Sequence, residues 1–278
     1  MNKVKTIALA LTALAATVSG QAAAQQFYSY TNVSVNYLDW SDGTSDRSNW
    51  EDYAYLQLEA GAGYDWGDLY GFMDIENPGK GEWMYESDDD KAEAFRVALK
   101  GTVAVNIGES HFNYYASIYS RSDSSFSYPV STSYYEQNLV LGVSYDYHTD
   151  FGLWVKPYVG AHYIHNSMFG AGFNGGMAGW VLGYNFQLGG QKFMITNWND
   201  IEFARADEAR GYTAFNEETH LPEYHKTNGD SSGINGSVAF WWNATPDLTV
   251  GVQYRYANQM LGNATYQNGT VFSAKYNF

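Results

Sequence analysis

The sequence predicts an all-β protein, a twelve-stranded antiparallel transmembrane β-barrel with short periplasmic turns and long extracellular loops. Three observations predict it. Apolar residues recur at every second position along most of the chain. The segments that alternate in this way are about ten residues long, which is what a tilted barrel strand needs to cross a bilayer. The connections between them alternate short and long, as they do in outer-membrane barrels.

Composition removes the main competitors. The 278 residues contain no cysteine, so disulfide frameworks, thiolate metal sites and cysteine nucleophiles are excluded. Lys+Arg 15 against Asp+Glu 30 gives a net charge of −15, which argues against nucleic acid as the main partner. Aromatic residues make up 18 % of the chain while charged residues reach only 16 %, below the roughly one quarter usual in soluble domains. The rings therefore serve something other than a water-soluble core.

Taken in order, the chain opens with Lys3 and Lys5, an apolar run from Thr6 to Val18, and the small residues Ala22, Ala23 and Ala24. This is the pattern of a secretory signal peptide over residues 1–24, cleaved after Ala24, which leaves 25–278 as a single barrel domain. The apolar run is too short to span a bilayer, and no later stretch approaches 18 consecutive apolar residues. Strands are expected at 28–38, 53–65, 69–76, 94–105, 111–120, 135–148, 152–164, 178–188, 192–203, 233–243, 248–258 and 268–278. Val33, Val35 and Tyr37 alternate with Ser34 and Asn36, and Leu58, Ala60 and Ala62 with Gln57, Glu59 and Gly61. Leu139, Leu141 and Val143 do so with Asn138, Gly142 and Ser144, and Val250, Val252 and Tyr254 with Gly251, Gln253 and Arg255. Short turns at Trp66-Gly67-Asp68, 106–110, 149–151, 189–191 and 244–247 oppose long loops at 39–52, 77–93, 121–134, 165–177, 204–232 and 259–267. Trp66, Tyr70, Tyr147, Phe151, Trp154, Trp180 and Phe186 fall near strand ends, where interfacial girdles are expected. The last strand carries Phe272, Ala274, Tyr276 and Phe278 on one face. Such an ending resembles the signal that the barrel-assembly machinery reads for insertion among outer-membrane lipids and lipopolysaccharide.

A twelve-stranded barrel is wider than those filled by their own side chains and narrower than general porins. Its inner face is therefore the place to seek function. Opposite the apolar positions lie Glu59, Asp74, Asp146 and Asp200, together with Arg96, Lys100, Lys156, Arg255 and Lys275. Beside them come Asn36, Gln57, Tyr70, Phe72, Asn113, Tyr115, Ser117, Tyr158, His162, Asn185, Trp198 and Gln253. An anion sieve wants a cationic lining and a cation pore the reverse. This lining is mixed and aromatic, and suits a neutral, partly planar, polyhydroxylated solute.

The run Gly67-Asp68-Leu69-Tyr70-Gly71-Phe72-Met73-Asp74-Ile75-Glu76-Asn77 resembles a stretch near the start of the nucleoside-specific channel family, Tsx, and its OmpK relatives. Thr196-Asn197-Trp198-Asn199-Asp200 is similar to a second segment of that family, and Tyr276-Asn277-Phe278 to its ending. The resemblance implies a monomeric twelve-stranded barrel with a narrow passage that carries nucleosides and deoxynucleosides down their gradient. It also implies that some members are phage or colicin receptors. By position, Phe72, Asp74, Trp198 and Asp200 become candidates for the solute path. A one-residue slip in the strand at 192–203 would send Asn197 and Asn199 inward instead.

Plainer readings stand beside these. Lumen acids can pair with Arg96, Lys100 or Lys275 only to neutralise charge, and the rings can be filler. The acidic runs Glu86 to Asp90 and Glu217-Glu218 read as a solvated outer face, with divalent-cation bridging to lipopolysaccharide as the minority reading. His165-Asn166-Ser167 has hydrolase-like spacing but lacks the surrounding motif of the outer-membrane phospholipases. His162/His165 and His220/His225 lack metal-ligand partners. A channel for nucleosides is thus expected, with no cofactor, metal or catalytic residue. A receptor or structural barrel with a plugged lumen is the alternative.

Overall fold

The computed structural model describes residues 24–48, 50–78, 95–124, 126–127, 130–131, 134–167, 169–210, 212–216, 221–225, 229–261 and 264–278. Residues 1–23 of the expected signal peptide, both acidic runs and His220 lie outside them.

Twelve long strands follow one another: β1 Gln26–Trp40, β2 Tyr53–Tyr64, β3 Gly67–Glu76, β4 Phe95–Asn106, β5 Phe112–Ser124, β6 Tyr134–Tyr145, β7 Leu153–Asn166, β8 Gly170–Leu188, β9 Gln191–Phe203, β10 Gly233–Asn243, β11 Leu248–Asn258 and β12 Gln267–Asn277. Each pairs antiparallel with its neighbours in sequence. β12 returns to pair with β1, setting Val35 opposite Ala274 and Tyr37 opposite Phe272, so the sheet closes into a barrel with no free edge. Closure matters in lipid, where an unpaired backbone N–H or C=O has no water to turn to.

Side-chain alternation decides which way each strand faces. On β1, Val35 is 61 % exposed, whereas its neighbours Ser34 and Asn36 are 1 % and 3 % exposed. Apolar residues point out and polar residues in, the inverse of a soluble core. Among the described residues the apolar clusters are small and face inward, Leu38 with Tyr55 and Val271, and Val140 with Tyr158 and Met177.

The ends of the barrel differ. The termini and the connections 65–66, 107–111, 146–152, 189–190 and 244–247 lie at one end, and the longer loops at the other. Among the described residues three loops carry their own structure, that between β5 and β6 being a short ribbon of Phe126–Ser127 and Val130–Ser131. The α-helix Asp42–Ser48 is pinned to the start of β12, where Ser41 Oγ donates to Asn268 Oδ1 at 2.8 Å and Arg47 Nη2 to the Tyr266 carbonyl at 2.6 Å. Between β9 and β10, a 3₁₀ turn at Asp207–Ala209 precedes a ribbon of Tyr212–Asn216 and Leu221–His225.

Three expectations change. The loop expected over 165–177 is mostly strand, because β7 runs to Asn166 and β8 starts at Gly170. Glycines at 170, 172, 175 and 176 erase the side-chain alternation that would reveal this strand. Gly175 also sits at φ +73°, with the Ala204 carbonyl 2.2 Å from where a Cβ would stand. The strand expected over 135–148 is interrupted after Tyr145, resuming only at Tyr147–His148. The break falls opposite Pro157, which has no N–H to give to the ladder. Finally, Trp154 is not a girdle residue. It shares the inner face with Tyr158, and its indole covers Gly183.

Candidate functional site

Contacts between strands several places apart in the sheet can form only through the barrel interior, so they identify lumen side chains. Lys100 on β4 reaches Asp200 on β9, with Nζ to Oδ2 at 3.4 Å. Lys275 on β12 reaches Glu59 on β2 at 3.1 Å, and Lys156 on β7 reaches Asp68 on β3 at 2.5 Å. The first and third bridges set Lys100 and Asp200, with Lys156 and Asp68, on the inner wall, and Lys275 and Glu59, two strands apart, share it by alternation with the exposed Phe272, Tyr276 and Leu56.

Each bridge carries rings. Asp200 also accepts from the Tyr158 hydroxyl at 2.6 Å, and Tyr158 stacks on Tyr115 with centroids 4.7 Å apart and planes 16° from parallel. Glu59 accepts from the Tyr70 hydroxyl and from Asn32 Nδ2, both at 3.0 Å. Tyr70 meets Phe72 edge-on at 6.3 Å, and the Lys275 ammonium lies 4.1 Å from the Trp241 ring centroid. Arg96 pairs with Glu76 at 2.5 Å and lies over the Tyr53 ring at 4.4 Å. Tyr70, placed by its sequence position both at a strand end and in the lumen, is a lumen residue.

The alternative registers of the strand at 192–203 are separated by these contacts. Asp200 meets Tyr158 and Lys100, and Trp198 lies under the Arg255 guanidinium at 5.6 Å, so both face inward. Asn197 and Asn199 take the outer face. There they satisfy each other and their neighbours: Trp180 Nε1 donates to Asn197 Oδ1 at 2.7 Å, Asn199 Nδ2 to the same oxygen at 3.1 Å, and the Tyr256 hydroxyl to Asn199 Oδ1 at 2.6 Å.

Some lumen residues were missed by the sequence reading. Asp68 and Glu76 continue the inward alternation of Tyr70, Phe72 and Asp74, a signal that extends one step at each end of that run. Glu202 continues the alternation of Trp198 and Asp200 in the same way, but Arg205, ion-paired to it at 2.8 Å, gave no such signal because it lies past the strand end. Near them His162 is fully buried, with Nε2 2.8 Å from Asn138 Oδ1 and Nδ1 3.3 Å from Asn174 Nδ2. It is a hydrogen-bonded wall residue. His165 and Ser167 do not bond each other, for His165 meets the Tyr135 hydroxyl and the Ser167 hydroxyl accepts from the Tyr135 N–H. Among the described residues no group of three or more His, Cys, Asp or Glu is placed to hold a metal.

The arrangement offers hydrogen-bonding groups and ring faces side by side along the barrel interior. Among solved structures the chain resembles a NanC porin (10 % identity, 88 % of this chain and 98 % of that one, TM-score 0.45). It also resembles an outer-membrane channel from Pseudomonas putida F1 (11 %, 90 % and 95 %, TM-score 0.43) and LpxR from Salmonella typhimurium (11 %, 88 % and 99 %, TM-score 0.44). The family model described as nucleoside-specific channel-forming protein, Tsx, matches residues 35–278. The chain therefore belongs to the Tsx family of nucleoside-specific channel-forming proteins and is an outer-membrane β-barrel of a Gram-negative bacterium.

Proposed function

We propose that this barrel carries nucleosides and deoxynucleosides passively across the outer membrane, through a lumen that selects them by stacking and hydrogen bonding. The observation that carries the reading is the pairing of rings with fixed polar groups at two places on the inner wall. Tyr158 and Tyr115 adjoin Asp200 and Lys100, and Phe72 and Tyr70 adjoin Glu59. A nucleoside needs both, a face for its base and partners for its base edge and sugar hydroxyls. Because lumen acids and bases largely neutralise one another, a neutral solute crosses without a strong field selecting for either sign. On this reading Glu59, Tyr70, Phe72, Asp74, Arg96, Lys100, Tyr158, Trp198, Asp200, Arg255 and Lys275 line the path.

Proteoliposomes that contain the purified protein should take up labelled adenosine, with saturation and with competition by unlabelled thymidine. Uptake no faster than that of an equally large disaccharide overturns the selective reading. Replacing Phe72 by Ala is expected to weaken the competition several-fold without lowering leak of small ions.

A further inference from the structure

Three lysines of the inner wall hold carboxylates on other strands, and Lys156 differs from the other two. Among the described ion pairs Lys100 and Lys275 each face one acid, Asp200 and Glu59. The Lys156 ammonium faces two, Asp68 Oδ2 at 2.5 Å and Asp146 Oδ1 at 3.4 Å. Its side chain is also the most exposed of the three, at 25 % against 21 % and 16 %. An ammonium on a flexible four-carbon stem, partly in water and offered two acceptors, has two seats to move between.

The two seats lie on different sides of the passage. Asp146 belongs to the wall that carries Lys156. The register there sets Val155 opposite Tyr147 and Tyr158 opposite Ser144, so Lys156 faces Asp146 across one strand spacing, about 5 Å. Asp68 stands on β3, four strands from β7, with about 19 Å of wall between the two. The ammonium therefore meets Asp68 by extending over the opening. Asp68 is the second residue of β3 and Asp146 the first after β6, so the crossing falls at the end of the barrel that holds the short connections. The far wall is already thickened there by Tyr28, whose ring covers Gly63, the partner of Asp68 on β2. Asp146 keeps its place without the ammonium. Asn113 Nδ2 donates to its Oδ2 at 3.1 Å, and its own N–H donates to the His111 carbonyl at 2.9 Å.

Resting on the channel reading above, we propose that Lys156 is a movable arm that sets the width of the periplasmic exit. Extended to Asp68, as in this structure, it bars part of the opening. Folded back to Asp146, it lies along its own wall and clears the opening. Neither position strands a buried charge, because Asp146 has Asn113 when the arm is out and Asp68 lies at the mouth when the arm is back. The two positions therefore exchange without an energy source, as a passive channel requires. Small ions pass the extended arm at reduced rate, whereas a solute of nucleoside size needs the arm folded back.

The test is single-channel potassium chloride current through the purified protein in a planar bilayer. Asp68→Asn takes away the far seat, and conductance should rise about twofold. Asp146→Asn takes away the near seat, and conductance should fall to about two thirds or less. Both substitutions remove one negative charge from the same mouth, so a field effect on ion flow would move them in the same direction. Lys156→Met removes the arm and should raise conductance as Asp68→Asn does, although it changes the charge in the opposite sense. Combined with Asp68→Asn it should add nothing further, since both act on one contact. Heat-dependent gel migration confirms that each variant is folded. Should Asp146→Asn fail to fold, the comparison of Lys156→Met with Asp68→Asn decides: a shared rise supports the arm, and opposite shifts overturn it. A shift in the same direction for the two Asp variants, or unchanged conductance in all of them, overturns the arm and leaves the channel reading standing. An unmodified protein that passes no current overturns both.

Discussion

At the scale of single residues, Asp200 joins strands that lie far apart around the barrel. One carboxylate accepts from Tyr158 and neutralises Lys100, tying β9 to β7 and β4 across the interior. Replacing it by Ala leaves an ammonium and a phenol without their shared partner. Asp200→Ala is expected to destabilise the barrel by about 1–3 kcal/mol, read by urea unfolding in lipid vesicles, and to raise unblocked conductance because the bridge opens. An unchanged conductance would place the bridge off the permeation path. The identities of such residues were legible in the sequence, since Glu59, Lys100, Asp200 and Lys275 all sit opposite apolar positions. Their partners were not. Lys100 and Asp200 are a hundred positions apart, and nothing in local alternation says which strands face each other across a closed sheet. His165 and Ser167 make the same point negatively. Spacing alone suggested a proton-transfer pair, but the hydrogen bonds of both go to Tyr135.

At the scale of elements, alternation located all twelve strands and failed where side chains are missing or where polarity is local. The first half of β8, Gly170 to Gly176, contains four glycines and so carries almost no pattern, yet it pairs with β7 through Ala171 and Phe173. Gly175 is indispensable there, because its positive φ disfavours an L side chain and a Cβ would strike the carbonyls of Phe203 and Ala204. Gly175→Val should cost about 1–3 kcal/mol of unfolding free energy and lower the yield of folded barrel in detergent. Wild-type stability for this variant would mean that β8 is not packed against the end of β9 as described. On β9 the difficulty is different. Asn197 and Asn199 look like lumen residues by type, but they occupy the outer face as a closed hydrogen-bonded group with Trp180 and Tyr256. Polar side chains facing out are tolerable when they satisfy one another, which composition cannot reveal.

At the scale of the whole molecule, the two faces of one sheet meet different solvents. The outer face should punish charge according to depth. Val35→Arg, on the exposed apolar side of β1, is expected to cost about 2–4 kcal/mol in vesicles, measured by reversible urea unfolding. A cost near zero would contradict the placement of β1 against lipid. The inner face, by contrast, holds paired charges and rings, and the surplus of aromatic residues divides between the two. Phe272 and Tyr276 stand outside, while Tyr115 and Tyr158 stack within. The central claim is that this inner face selects nucleosides, and it is tested most directly by titrating thymidine onto the protein in a planar bilayer. A small conductance that falls saturably with thymidine, and is unaffected by the same concentration of glucose, is the predicted result. A conductance indifferent to thymidine, or no conductance at all, would contradict it.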